Sequence, residues 1–196
     1  MYDTNLDHGY LPAADWQSAA PAIRPALLPA NSGRPLLTDG PAGLAVAYVM
    51  AADGAEVPVD PSHLRAWGVG PRDVEYAAMA NLAVWSESAA WLDEVDGHRH
   101  LVWSESGDGM DAARILLASV RRRLADELGP RGRVLVAMPE RDLLIASGAA
   151  PGDREFQALF VDYVAGRAQA AEQPIDARIY ELVDGELVEA GPTPEA

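Results

Sequence analysis

The chain has 196 residues, 49% of them hydrophobic, enough for one ordinary globular core and too apolar for wholesale disorder. Thirty acidic residues against fifteen basic ones give a formal charge of −15, which works against binding the phosphate backbone of a nucleic acid. All fifteen basic side chains are arginine and there is no cysteine, which excludes lysine Schiff bases, a Walker-type lysine, disulfides, thiolate nucleophiles and cysteine-held zinc.

Residues 1–34 carry Pro12, Pro21, Pro25 and Pro29, with Pro35 following, too many for a long helix. Yet Leu11, Trp16, Ile23, Leu27 and Leu28 are apolar, so the stretch reads as an irregular arm docked on the domain. No basic region followed by an apolar stretch opens the chain, and no run is long and apolar enough to span a membrane. The expectation is a soluble cytoplasmic protein with no membrane partner, its composition being that of a GC-rich genome.

Residues 35–190 read as a single domain. Gly43–Ala51 is an apolar strand, Asp53-Gly54 a hairpin turn, and Glu56–Val59 the returning strand. Asp60-Pro61-Ser62 opens a short helix that Gly68 ends, and Pro71 starts a longer one with Val74, Ala77, Ala78 and Leu82 on one face. Asn81, near its end, is a candidate ligand-binding amide. Asp96-Gly97 sits between 91–95 and 98–103 as the turn of a second hairpin. The pentapeptide VWSES occurs at Val84–Ser88 and again at Val102–Ser106, a spacing too short and isolated for a solenoid repeat.

Met110–Leu128 predicts one helix with Ala113, Leu116, Leu117, Val120 and Leu124 as its core stripe. Arg133–Ser147 then predicts a hairpin buried on both faces, with Pro139 in the turn and Arg141-Asp142 at its charged tip. A helix over 154–171 buries Phe156, Leu159, Phe160, Tyr163 and Val164. Strands 175–183 and 186–189 close the domain around Asp184-Gly185, and residues 191–196 form a flexible tail. The order of paired strands and helices predicts an α+β fold: a mainly antiparallel sheet built from successive hairpins, with helices packed on one face.

Several of these pieces occur together in a known family. They are the strand LAVAYVM, the helix end Ala80-Asn81-Leu82, Gly109-Met110-Asp111-Ala112-Ala113, and Val134–Pro139 with Arg141-Asp142. With the late Pro174-Ile175 strand, the chain over roughly residues 40–185 resembles the YtpQ-like family of uncharacterised bacterial proteins, a domain of unknown function. The Pro-x-Arg-Asp-x-Leu turn is the most specific piece. The resemblance implies an architecture and assigns no catalytic residue and no cofactor.

Candidate chemistry is sparse. Arg141 on a rigid turn, oriented by Asp142, has the geometry to grip a carboxylate or phosphate, although a pair bracing its own turn looks the same in sequence. His98 and His100, two apart on a strand, point to one face and make a candidate metal pair with Asp93, Glu94 and Asp96 nearby. Arg121-Arg122-Arg123 fans over too wide an arc to form one anion stripe. Ser104, Ser106 and Ser147 lie in no nucleophile motif. The reading is a binding or protein-interaction module without catalysis or cofactor, engaging an unknown protein or small molecule through the sheet surface and the Arg141 turn. The alternatives are a metal-assisted hydrolase using His98, His100 and nearby acids, and a small-anion sensor built on Arg141.

Overall fold

A computed structural model describes residues 15–29, 32–34, 36–52, 55–97, 99–150 and 152–190, apart from the side chains of 52 and 55. The fold is α+β, and its strands form two antiparallel sheets. No helix among the described residues is long and apolar enough to cross a membrane.

In the smaller sheet, β3 (Ala45–Ala52) is central. It pairs on one side with β1 (Ile23–Leu28), and on the other with β2 (Leu37–Asp39) and β4 (Ala55–Pro58) placed one after the other along its length. The described part of the proline-rich arm is therefore not irregular. A four-residue helix α1 (Trp16–Ala19), capped by the Asp15 carboxylate on Ser18 N–H, leads into β1. Pro25 sits inside β1, which its position at the sheet edge tolerates because an edge strand leaves half its N–H groups unused. The Asp53-Gly54 turn lies outside the described residues.

Two helices follow. In α2 (Pro61–Trp67), Asp60 accepts from the N–H groups of Ser62 and His63, and His63 Nδ1 accepts in return from Asp60 N–H, a reciprocal cap. In α3 (Pro71–Ser86), Val74, Ala78 and Leu82 are fully buried and the helix packs on β1 and β3. The first VWSES copy thus starts in the end of this helix, while the second starts in a strand, β6 (Arg99–Ser104). The same five residues take different local structures because their neighbours in the fold, not their own preferences, decide.

The larger sheet contains six strands in the order β10-β9-β7-β8-β6-β5. These are β5 (Leu92–Asp96), β6 (Arg99–Ser104), β7 (Arg133–Glu140), β8 (Leu143–Ala149), β9 (Tyr180–Val183) and β10 (Glu186–Glu189). At the last turn, Asp184 and Gly185 both have positive φ (51° and 83°), the geometry of the tight primed hairpin turn their sequence specifies. Strands β7 and β8 are buried along almost all their length, and their hairpin is the centre of the sheet. Its loop is only Arg141-Asp142. Pro139 is not in the turn but in β7, where Met138 and Pro139 lie opposite Leu144 alone in a β-bulge. A bulge leaves a residue out of the ladder, which is where a residue lacking an N–H fits.

The helix read over Met110–Leu128 is broken. A 3-10 segment (Ala112–Leu116) is followed by Leu117 in extended conformation and then by α4 (Ala118–Leu128). Arg121 stabilises the break: Nη1 donates to the carbonyls of Ile115 (2.9 Å) and Leu116 (2.9 Å), which a continuous helix would have satisfied, and Nε donates to Gly185 O at 2.7 Å. One face of the large sheet packs through α4 and the 3-10 segment into the main core. That core runs from Ile23 and Tyr48 through Leu82 and Ile115 to Val136 and Tyr180. The other face carries a separate cluster, Leu135, Ala137, Leu143 and Ile145, under Phe160 and Val164 of α5 (Arg154–Ala170).

Candidate functional site

Arg141 is engaged on every nitrogen. Nε donates to Gly109 O at 2.8 Å, both terminal nitrogens pair with the two oxygens of Glu56, and Nη1 also reaches Gln173 Oε1 at 3.2 Å. Asp142 holds the other side of the same glycine, accepting from Gly109 N–H at 2.8 Å. Glu56 in turn pairs with Arg24 of β1. Burial works to raise the Glu56 carboxyl, and the two guanidiniums outweigh it, holding the group below its usual range. The Arg141 turn therefore pins the 107–110 loop and ties the two sheets together.

Beside it lies a buried polar node. Arg114 is 0% exposed and donates to Asp111 Oδ1 at 2.6 Å and to both oxygens of Asp108. Asp111, equally buried, also accepts from Ser104 Oγ (2.6 Å), Ser106 N–H (2.9 Å), Ser106 Oγ (3.0 Å) and Gly107 N–H (3.1 Å). Two of the three serines are thus structural hydrogen-bond donors. A cleft of about 420 Å³ opens next to this node between Arg24, Trp85, Asp108 and Met110, and the charged groups on its wall are already paired with one another's neighbours.

Asn81 donates through Nδ2 to the carbonyls of Ala20 (2.7 Å) and Ile23 (2.8 Å), fastening α3 to the start of β1. His100 is buried on β6, with Nε2 at 3.9 Å from Asp93 Oδ2 and 4.0 Å from Glu127 Oε1, and neither ring nitrogen is hydrogen-bonded. His98 lies outside the described residues. Among the described residues no three His, Asp or Glu side chains are grouped to hold a metal ion. In the arginine triplet, Arg123 lies over Trp91 at 4.8 Å and pairs with Glu127, a structural role like that of Arg121.

The open site is elsewhere, on the face of the large sheet that carries α5. The helix lies over β7 and leaves the β6 and β5 end bare, so that a groove of about 400 Å³ remains. Leu101, Trp103 and Ile145 line it from the sheet. Phe156, Leu159, Phe160 and Tyr163 of α5 form the opposite wall. The five-residue apolar stripe of α5 is only partly buried. Phe156, Phe160 and Val164 are covered, but Leu159 is 55% and Tyr163 44% exposed, because they overhang the groove instead of meeting the sheet. The sequence carried no signal for this: Phe156, Leu159, Phe160, Tyr163 and Val164 have the i, i+3, i+4, i+7, i+8 spacing of an ordinary core-facing stripe.

The mouth is acidic. Glu94 and Asp96 are exposed neighbours on the groove side of β5, opposite Leu101 and Arg99, and no ion pair engages either carboxylate among the described residues. Arg99 is drawn off to Asp153, with Nε to Oδ2 at 3.1 Å and Nη2 to Oδ1 at 3.3 Å, and to Glu155 at 3.6 Å, while lying over the Phe156 ring. Beyond the other end, Arg167 pairs with Glu140 and Glu105 and bonds the Tyr163 hydroxyl at 3.0 Å. Beneath α5, Ser147, the cross-strand neighbour of Leu101, is fully buried with its hydroxyl unbonded.

No family model, curated protein or solved structure matches this chain.

Proposed function

We propose that this protein is a cytoplasmic binding module without catalysis, and that its ligand surface is the groove between β6 and α5. The observation that carries the reading is the groove itself: about 400 Å³, within the size range of small-ligand sites, lined by Trp103, Phe156, Phe160 and Tyr163. Exposed Leu159 and Tyr163 beside it give an apolar patch that solvent does not favour and a ligand would cover. In the same proposal, the YtpQ-like turn from Pro139 to Leu143 has a scaffolding role, holding the 107–110 loop and the sheets in register. The reading assigns Arg141, Asp142 and Asn81 to that scaffold and no longer to ligand capture.

Titration with Nile red, a neutral apolar dye, tests this directly. Binding with enhanced emission is expected for the wild-type chain, and loss of it for Leu159→Glu, whose side chain is exposed and whose thermal midpoint should be unchanged. Undiminished dye binding by a folded Leu159→Glu protein would place the apolar surface somewhere else.

A further inference from the structure

The charges around the groove say more about its ligand than its apolar walls do. Glu94 and Asp96 alternate along β5 and so share one face, about 6–7 Å apart along the strand. A single ammonium placed between them lies within ion-pair reach of both. Four carboxylates, Glu94, Asp96, Asp153 and Glu155, stand against the guanidiniums of Arg99 and of Arg131, which bonds Gly97 O at 3.3 Å, so acidic groups outnumber basic ones at this end of the groove. Trp103 adds a ring of the kind that attracts cations, while the Tyr163 ring is already occupied by Arg167, 5.9 Å from its centroid. An anionic ligand would have to displace Asp153 from Arg99. A second copy of this chain, pairing through the edge that β5 forms among the described strands, would crowd Asp93, Glu94 and Asp96 of the two copies together, and like charges opposed across strands are unfavourable.

Building on the groove reading above, we propose that the site takes an arylalkylamine, an aromatic ring carrying a protonated alkylammonium. Its ring lies between Trp103 and the exposed Leu159, and its ammonium sits between Glu94 and Asp96. The carboxylates set the sign of the ligand and the apolar walls set its shape.

Three ligands with one apolar body separate the two ideas: 2-(1-naphthyl)ethylamine, 2-(1-naphthyl)ethanol and 1-naphthylacetate, titrated calorimetrically at pH 7 into the full chain. The expected order is amine, alcohol, acid, with the amine roughly two- to tenfold tighter than the alcohol, as for one or two exposed ion pairs. In the double variant Glu94→Gln/Asp96→Asn, amine and alcohol should bind equally and the alcohol should keep its wild-type affinity. Both substitutions are at exposed positions, so folding is not at risk. Equal binding of amine and alcohol by the wild type would overturn the amine assignment and leave the groove reading standing. Preference for the acid would overturn it in favour of recognition by Arg99. Binding of none of the three would remove the groove reading as well.

Discussion

The guanidinium of Arg141 lies flat against the Cα of Gly109: a Cβ added to that glycine would sit 2.2 Å from Nη2 and 2.8 Å from Cζ of the arginine. Gly109 also has φ of +76°, a conformation costly for any residue with a side chain. Gly109→Ala should therefore cost about 1–2 kcal/mol from the backbone alone, and more from displacing an arginine that Glu56 and Gln173 hold in place. Thermal unfolding is the measurement. At this chain length a fall of several degrees in Tm is expected, and an unchanged Tm would contradict the contact.

The pair of Arg141 with Glu56 is half-buried, so its rupture should cost less than that of a fully buried pair. About 1–3 kcal/mol is expected for Arg141→Ala, between the exposed and buried limits. Arg141→Ala should lower Tm with no change in dye or amine binding at the groove. A ligand effect without a stability effect would restore Arg141 as a binding residue.

The acid limb of stability follows from the same carboxylates. Glu56 and Asp108 both have lowered pKa values: burial opposes the shift in each, and Arg141 with Arg24, or Arg114 with the Met110 amide, overcomes it. Below their unfolded pKa values, near 4, the unfolded chain binds more protons than the native one. This stabilisation is therefore full above about pH 5 and is lost as pH falls through the folded values, below about 4. Chemical denaturation at pH 6, 4 and 3 should show stability falling with pH, and the fall should be shallower in Glu56→Gln.

The main lines of the fold were legible because local signals and tertiary packing agreed. Asp60, Pro61 and Pro71 place helix starts, Asp184-Gly185 places a hairpin, and the runs Val134–Ala137 and Leu143–Ile145 place the central pair. What was illegible depended on partners distant in sequence. Pro25 looks like a strand breaker until β3 makes its strand an edge. The Ala113–Leu124 stripe looks continuous until Arg114 is seen bound to Asp108 and Asp111 and Arg121 to the carbonyls at the break. Arg141 looks like a free cation because Glu56 lies 85 residues away in the chain. The groove is set by how far α5 reaches across the sheet, which periodicity does not encode.

Three adjacent arginines test the broken helix. Arg121 bonds three carbonyls, whereas Arg122 is exposed. Arg121→Ala should cost about 1–3 kcal/mol by leaving the Ile115 and Leu116 carbonyls unsatisfied, and Arg122→Ala about 0.5 kcal/mol or less. Equal effects on urea midpoints would mean that the break is held by something other than Arg121.

Leu159 and Phe160 are consecutive on α5, and the apolar spacing assigns both to the buried face. The structure separates them: Phe160 is 3% exposed against Leu135 and Ile145 of the sheet, and Leu159 overhangs the groove. Phe160→Ala should destabilise by about 3–5 kcal/mol, since a buried ring leaves a cavity under the helix. Leu159→Ala should change stability by no more than about 0.5 kcal/mol, because little surface there is buried on folding. Paired denaturant titrations compare the two directly, with m-values checked for equality so that midpoints report stability. A loss at Leu159 as large as that at Phe160 would mean that α5 sits closer to β6 than described, with the groove closed. A small loss at Leu159 together with a large one at Phe160 fixes the helix over β7 and keeps the groove open to solvent, the geometry that ligand entry requires.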